Sequence, residues 1–210
     1  MKLPLQSAFK ALNFFKKKRD LIGIDIGTFA IKLVCLRGSP GAWSLVRWGV
    51  IPYGDDMPLD TPLMDRRSQA ITALQNYLQT AELTLKKVAT SVSGNAVIVR
   101  YVKMAKMPAT ELAKSLKFEA EPYIPFNIEE VNLGFSILGE VIEEGQAQME
   151  TVLVAAKKES VDLRVEMLKE SGLQPVIMDV DAFALESAYE SIYPPQRNIL
   201  FTTRSLPCER

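Results

Sequence analysis

From Leu21 onward the apolar and polar positions fall into blocks with two different periods. "LIGIDIG" is a nearly continuous apolar run, while "AIKLVCLRG" and "AWSLVRWGVIPY" alternate, with the turn residues "GSPG" at Gly38 to Gly41 between them. Three consecutive strands with short connections predict an antiparallel meander. A loop rich in proline and aspartate, "PYGDDMPLDTP", leads to a predicted helix. Thr61 suits its N-cap, Pro62 its first position, and Ile71, Leu74 and Leu78 recur at helical spacing. "KKVATSVSG" then reads as a buried strand ending at Gly94.

The middle of the chain repeats this grammar on a smaller scale. "AVIVRYVKM" is a strand, and "ATELAKSLKFEAE" is a helix with Leu112, Leu116 and Ala120 on one face, stopped by Pro122. "VNLGFSILGEV" and "METVLVAA" are two further strands around the acidic turn "IEEGQAQ". A helix from about Ser160 to Ser171 follows, with Val161, Val165 and Leu168 facing inward and Gly172 closing it. The strand "PVIMDV" and the helix "DAFALESAYESI" complete the order βββαβ, βαββ, αβα. This is a mixed α/β chain whose middle block is inserted into an outer one.

Composition narrows the function classes. The 210 residues are 48% hydrophobic and 24% charged, ample for a core, and the formal net charge is zero, which gives no electrostatic case for nucleic acid. There is no histidine, so histidine triads, metal sites and general bases are excluded. Two cysteines, Cys35 and Cys208, are too few for a disulfide framework and favour a reducing compartment. Residues 1–20, "MKLPLQSAFKALNFFKKKRD", form a basic leader whose charge lies on the wrong side for a signal peptide. Leu5, Phe9, Leu12 and Phe15 would line one helical face beside the lysines, which suits an anionic membrane surface; a flexible solubilising tail fits the same residues. No run reaches the ~18 apolar residues of a spanning helix.

The chemistry concentrates in "LIGIDIGTFAIK". A strand ends near Ile24, Asp25, Gly27 and Thr28 follow, and the chain returns as a strand carrying Lys32. A glycine turn can gather backbone N–H groups into an anion nest. Thr28 adds a hydroxyl donor, Lys32 a point charge for phosphate, and Asp25 an acid for a hydrated Mg²⁺. A plain buried strand with a β-turn at Ile26 to Phe29 fits the same residues. Neither G-x-x-x-x-G-K-[ST] nor G-x-G-x-x-G occurs. The acids Glu129, Glu130, Glu140, Glu143 and Glu144 lack EF-hand spacing and read as a solvated face.

This hairpin resembles the first phosphate motif of the actin, hexokinase and heat-shock chaperone ATPase superfamily. More narrowly, "LIGIDIGTFAIKLVCLRG", "SVSGNAVIVRYVKMAKMP", "FEAEPYIPFNIEEVNLGFSILGE" and the stretch from "ETVLVAAKKES" to "DVDAFALESAYE" resemble, in order, segments of the PilM family, actin-like cytoplasmic proteins of type IV pilus assembly. The similarity covers roughly residues 20 to 193, and a short basic leader is also similar to the family's. The resemblance implies an actin-like (ribonuclease H-like) lobe at 21–94 and 172–193, an inserted subdomain of the FtsA and PilM type at 95–171, the leader at 1–20 and an atypical tail at 194–210. It implies ATP with Mg²⁺ as cofactors, held by Asp25 through water, by Gly27, Thr28 and Phe29 as donors, and by Lys32. Asp181, heading the helix that links the lobes, takes the position used to orient attacking water, although a plain N-cap explains an aspartate there as well. Asp179 reads as a solvated or turn residue. The resemblance also implies a groove between inserted block and lobe that accepts the cytoplasmic tail of a PilN-like inner-membrane protein. Tyr123, Ile124 and Phe126 are candidates there, although packing into the core explains these residues better. Other pilus platform proteins, the assembly ATPases and peripheral membrane contact at the inner face of the cytoplasmic membrane are implied as further partnerships, and apolar surface left exposed without a second lobe leads us to expect self-association.

The sequence departs from the superfamily after "IYPPQRNIL". A second D-x-G hairpin and a glycine-rich adenosine pocket are expected there, yet no glycine follows Gly172. A shortened or frame-altered product, or a lineage without the second lobe, would look like this. Weak or absent ATP binding and no useful turnover are therefore expected of these residues. The competing readings are half of an actin-fold ATPase, and an adaptor like FtsA in cell division or GspL in type II secretion.

Overall fold

The computed structural model describes residues 21–39, 42–53, 58, 61–143 and 145–193. The leader at 1–20, the tail at 194–210, and parts of the "GSPG" turn and the "PYGDDMPLDTP" loop lie outside the described residues. The expected meander is present: β1 (Leu21–Ile26), β2 (Ala30–Ser39) and β3 (Ala42–Pro52) pair antiparallel in sequence order. Strand alternation puts Ile22, Ile24 and Ile26 on one face, and the register sets them opposite Cys35, Leu33 and Ile31. β4 (Lys87–Val92) and β8 (Gln174–Val180) extend the sheet in parallel, giving the order β3-β2-β1-β4-β8.

Two helices cover that apolar face. Ala70 and Leu74 of α1 (Arg67–Thr80) and Met167 and Leu168 of α3 (Lys158–Glu170) join the isoleucines in one core. Arg67 ties the helices together by donating to Glu166 at 3.2 Å and to Glu170. The α-helix starts at Arg67, not at Pro62 as the spacing predicts. Pro62 instead opens a separate turn, its carbonyl accepting the Asp65 and Arg66 amides. Arg66, 1% exposed, closes that turn by donating its guanidinium to the Thr61 and Pro58 carbonyls. Thr61 therefore serves through its carbonyl and caps no helix.

The inserted block is a second, antiparallel sheet of order β5-β7-β6, made of β5 (Val97–Ala105), β6 (Val131–Glu143) and β7 (Gln146–Lys157). Helix α2 (Ala109–Ala120) crosses one face, where Leu112 and Ala120 meet Met149, Leu153 and Ala155. Pro122 ends the helix in a 3₁₀ turn at Glu121–Tyr123. The central strand β7 is buried on both faces: Val152 and Val154 turn the other way, toward Val180 and Phe183 of β8 and α4 (Asp181–Ile192). Helix α3, which the expected boundary at 171 places in the inserted block, has Met167 and Leu168 in the core of the five-stranded sheet. Its other end, through Val161 and Val165, packs with Val92, Ala156 and Met178, so this helix spans the junction of the two sheets.

Candidate functional site

β1, β4 and β8 run parallel, so their carboxyl ends share one edge of the sheet, the usual place for ligands in open α/β sheets. Asp25 ends β1 there, and Asp181 opens α4 directly after β8. Both charges bear on the Arg164 guanidinium of α3, which places the three groups in one neighbourhood.

The hairpin is built as the sequence suggests, with two changes. Asp25 and Lys32 are direct cross-strand partners, and Lys32 Nζ lies 2.8 Å from Asp25 Oδ2. More than half of each side chain is exposed, at 54% and 59%. Such a pair contributes at most ~1 kcal/mol, so a phosphate or hydrated cation can replace either partner at little cost. Gly27 is needed for space, since its φ is not positive. A Cβ there would lie 3.0 Å from the Ala30 carbonyl oxygen and 3.3 Å from Lys32 Nζ. Its amide is already engaged, donating to the Ala30 carbonyl at 3.2 Å. The donors the turn offers to an anion are therefore those of Thr28 and Phe29, both exposed.

Asp181 does not cap α4 in the usual way. Val180 holds the N-cap position, and the Asp181 carboxylate accepts from the Ala182 amide at 2.8 Å. Asp179, expected as a solvated or turn residue, sits in β8 and is half-buried, with its Oδ1 accepting from the Val180 amide at 2.7 Å. Burial raises its carboxyl above the usual aspartate range, and the Val180 amide works against that rise. Among the described residues no three acidic or cysteine side chains gather around one point.

Three residues behind the hairpin carry no sequence motif and were not anticipated. Tyr53, just past β3, donates its hydroxyl to the Gly27 carbonyl at 2.9 Å. The Arg66 guanidinium covers the Tyr53 ring at 5.5 Å. Burial pushes the Tyr53 hydroxyl up to about 12, against the opposing effect of Arg66, so it is a neutral donor at physiological pH. Arg164 donates to the Ser160 carbonyl at 3.0 Å, while its buried Nε has no hydrogen-bond partner among the described residues. Burial lowers this guanidinium from its ordinary value, and Asp25 and Asp181 pull it back.

The second candidate set divides. Ile124 is 5% exposed, packed with Leu112 and Val131, and presents no surface to a partner. Tyr123 is exposed, and Phe126 is half-buried beneath the Lys157 ammonium, 5.0 Å from its ring centre. Phe126, Asn127 and Lys157 line a cavity of about 470 Å³. A second cavity, about 180 Å³, lies between α3, β8 and the small sheet, walled by Val92, Val154, Val161, Val165 and Met178. Val131 and Asn132 are neighbours on β6, as Ala156 and Lys157 are on β7. One of each pair lines each cavity, and since successive strand residues face opposite sides, the two cavities open on opposite faces of the small sheet at the same end of β6 and β7. The helical repeat of Val161 and Val165 was the available signal for this wall, although the same repeat reads as ordinary core.

Comparison with known proteins agrees with this architecture. Residues 23–198 match the family model described as type IV pilus assembly protein PilM. A solved PilM–PilN type IV pilus biogenesis complex is similar, at 31% identity and a TM-score of 0.69, over 84% of this chain and 52% of that one. The cytoplasmic domain of EpsL, an inner-membrane component of the Vibrio cholerae type II secretion system, shares the fold at 14% identity and a TM-score of 0.50, over 79% of this chain and 59% of that one. A Bacteroides thetaiotaomicron protein with an actin-like ATPase fold and unknown function is a more distant likeness, at 11% identity and a TM-score of 0.38, over 85% and 58% of the two chains. The chain spans about half the length of the PilM structure it matches. With an actin-like α/β fold and a family match over most of its length, the chain belongs to the family of type IV pilus assembly protein PilM.

Proposed function

We propose that the chain is a cytoplasmic adaptor of type IV pilus assembly, working at the inner face of the cytoplasmic membrane by holding the cytoplasmic tail of a PilN-like protein. The observation that carries this reading is the apolar cavity between α3, β8 and the small sheet, with the cavity beside Phe126 opening at the same end of β6 and β7. Apolar walls from Val161, Val165, Val154 and Met178 suit an extended segment with apolar side chains, and Asp162, Lys169 and Lys157 at the margins suit its polar backbone and charges. The likeness to a chain solved together with PilN supports the choice of partner. Other platform proteins and the assembly ATPases would then meet this adaptor at the membrane. Among the described residues no helix is long and apolar enough to cross a membrane.

The phosphate hairpin contributes one side of a polyphosphate site. Thr28, Phe29 and Lys32 would hold phosphate oxygens and Asp25 a hydrated Mg²⁺, which would shield the phosphate charge. Asp181 stands at the same edge as the group that would orient water. A hairpin that contacts one side of a polyphosphate holds ATP only weakly by itself.

Titrating a labelled peptide of the PilN-like tail against the purified chain tests the adaptor reading. Val165→Glu and Phe126→Ala are each expected to weaken binding about tenfold or more, while Ile142→Ser, at a residue 84% exposed on β6, leaves it unchanged. Wild-type affinity in both groove variants would sink the assignment.

A further inference from the structure

We infer that Tyr53 is the positioning residue of the phosphate hairpin, aiming the Thr28 amide at the anion by holding the Gly27 carbonyl behind it. The inference rests on reading that turn as phosphate-binding. A two-residue turn presents carbonyl oxygens as well as amides, and an anion is repelled by the first as strongly as it is attracted by the second. What decides between them is the orientation of each peptide plane. The Gly27 carbonyl and the Thr28 amide belong to one planar trans peptide, so they point in opposite directions. Because the Gly27 oxygen accepts from the Tyr53 hydroxyl at 2.9 Å, the Thr28 N–H is turned away from Tyr53. The Tyr53 amide engages the Phe29 carbonyl as well, at 3.4 Å, so one residue holds the carbonyl on each side of the turn.

Tyr53 is itself held in place. Arg66 lies over its ring, and Arg66 is 1% exposed and anchored on the Pro58 and Thr61 carbonyls. A chain of contacts thus runs from the turn before α1 to the hairpin: Arg66 fixes the ring, the ring's hydroxyl fixes Gly27, and the Gly27 peptide fixes the direction of the Thr28 donor. Lys32 Nζ, paired with Asp25 Oδ2 at 2.8 Å, lies 3.3 Å from where a Gly27 Cβ would stand. An anion at the turn would then meet the Thr28 amide with this exchangeable ammonium beside it.

The test is a nitrogen-15 NMR titration of the full chain with inorganic pyrophosphate and Mg²⁺, reading the Thr28 amide. In the wild type this resonance is expected to shift and saturate. Tyr53→Phe keeps the ring and removes only the hydroxyl, and is expected to weaken binding about threefold to tenfold. Tyr77→Phe removes a comparable bond, from the Tyr77 hydroxyl to the Trp48 carbonyl at 3.0 Å, and is expected to titrate like the wild type. Wild-type affinity in Tyr53→Phe would overturn the positioning role and leave the phosphate reading standing. A wild-type Thr28 amide that never moves would remove the phosphate reading, and the inference with it. The wild type gives a further readout that no variant can confuse by failing to fold. A Tyr53 hydroxyl proton that exchanges slowly, and more slowly with pyrophosphate bound, supports the role; one exchanging freely in both states overturns it.

Discussion

Asp179 shows how one residue's setting departs from its sequence appearance. "VIMDVDAF" offers two aspartates two positions apart, and nothing in the string says which is buried. The strand boundary does: Asp179 still lies in β8, paired in register with Ser91 of β4 on the sheet face beneath α4, whereas Asp181 already opens the helix. Asp179 is thus half-buried where Asp181 is exposed. Since burial raises the Asp179 carboxyl, the native chain keeps that proton to a higher pH than the unfolded chain does. The unfolded state loses its proton first as pH rises, so this residue lowers native stability above the ordinary carboxylate range and has no effect well below it. Asp179→Asn retains an acceptor for the Val180 amide and removes the buried charge. Its melting temperature is expected to exceed the wild type's at pH 7 and to match it near pH ~3. A variant that melts lower at pH 7 would contradict this account. The places of Asp25, Thr28 and Lys32 around the hairpin turn were legible because they follow from spacing. Tyr53, Arg66 and Arg164 were not, because their roles come from contacts between segments distant along the chain.

Among the elements, helix α3 carries the most structural duty for its length. Its last turn ends in paired bonds, from the Gly172 amide to the Lys169 carbonyl and from the Leu173 amide to the Leu168 carbonyl, both 2.9 Å. Gly172 has φ +83°, and Leu168 and Leu173 are both in the core, the arrangement of a Schellman ending. Gly172→Ala meets no neighbouring atom within 4 Å, so its cost is conformational alone, about 1–2 kcal/mol, read as a lower urea midpoint with an unchanged slope. An unchanged midpoint would show that the αL ending contributes nothing. This terminus was readable in advance because a glycine follows a periodic run. The start of α1 was not, since Thr61 and Pro62 form an N-terminal signature whose hydrogen bonds go to a separate turn and to the Arg66 side chain. The whole span of α4, by contrast, followed from its sequence, though the pattern did not reveal how little of it is covered.

At the scale of the molecule, α4 contains no buried residue although it carries Phe183, Leu185, Tyr189 and Ile192. β3 behaves similarly, with Leu45, Trp48 and Val50 each more than half exposed. This much uncovered apolar surface predicts concentration-dependent association of the 210-residue chain. Sedimentation velocity across a hundredfold dilution is expected to show it, and Trp48→Lys with Leu185→Lys to diminish it; a monomer at every concentration would refute the prediction. The proposed phosphate role of the hairpin belongs to the same scale. Calorimetry with Mg-ATP is expected to show no binding tighter than millimolar, and micromolar affinity would overturn the half-site account. The element order and the insertion were legible because hydrophobic periodicity changes sharply at each boundary, and the actin-like class because particular segments resemble those of a known family. The packing of α3 against both sheets was not, because one amphipathic stripe serves two neighbours.

The pairing of β4 with β8 has a consequence for how the chain acquires its structure. Val88 lies beside Pro175 and Val92 beside Val180, with the whole inserted block between them in sequence. The β1–β2–β3 hairpins close over short loops and can form as soon as they are synthesised, but the fifth strand must wait until the intervening segment has shortened the distance between its ends. Collapse of the inserted block performs that shortening. The seam between β4 and β8 is therefore the last part of the main sheet to close, and the Asp25–Asp181 edge is complete only when the chain has nearly finished folding.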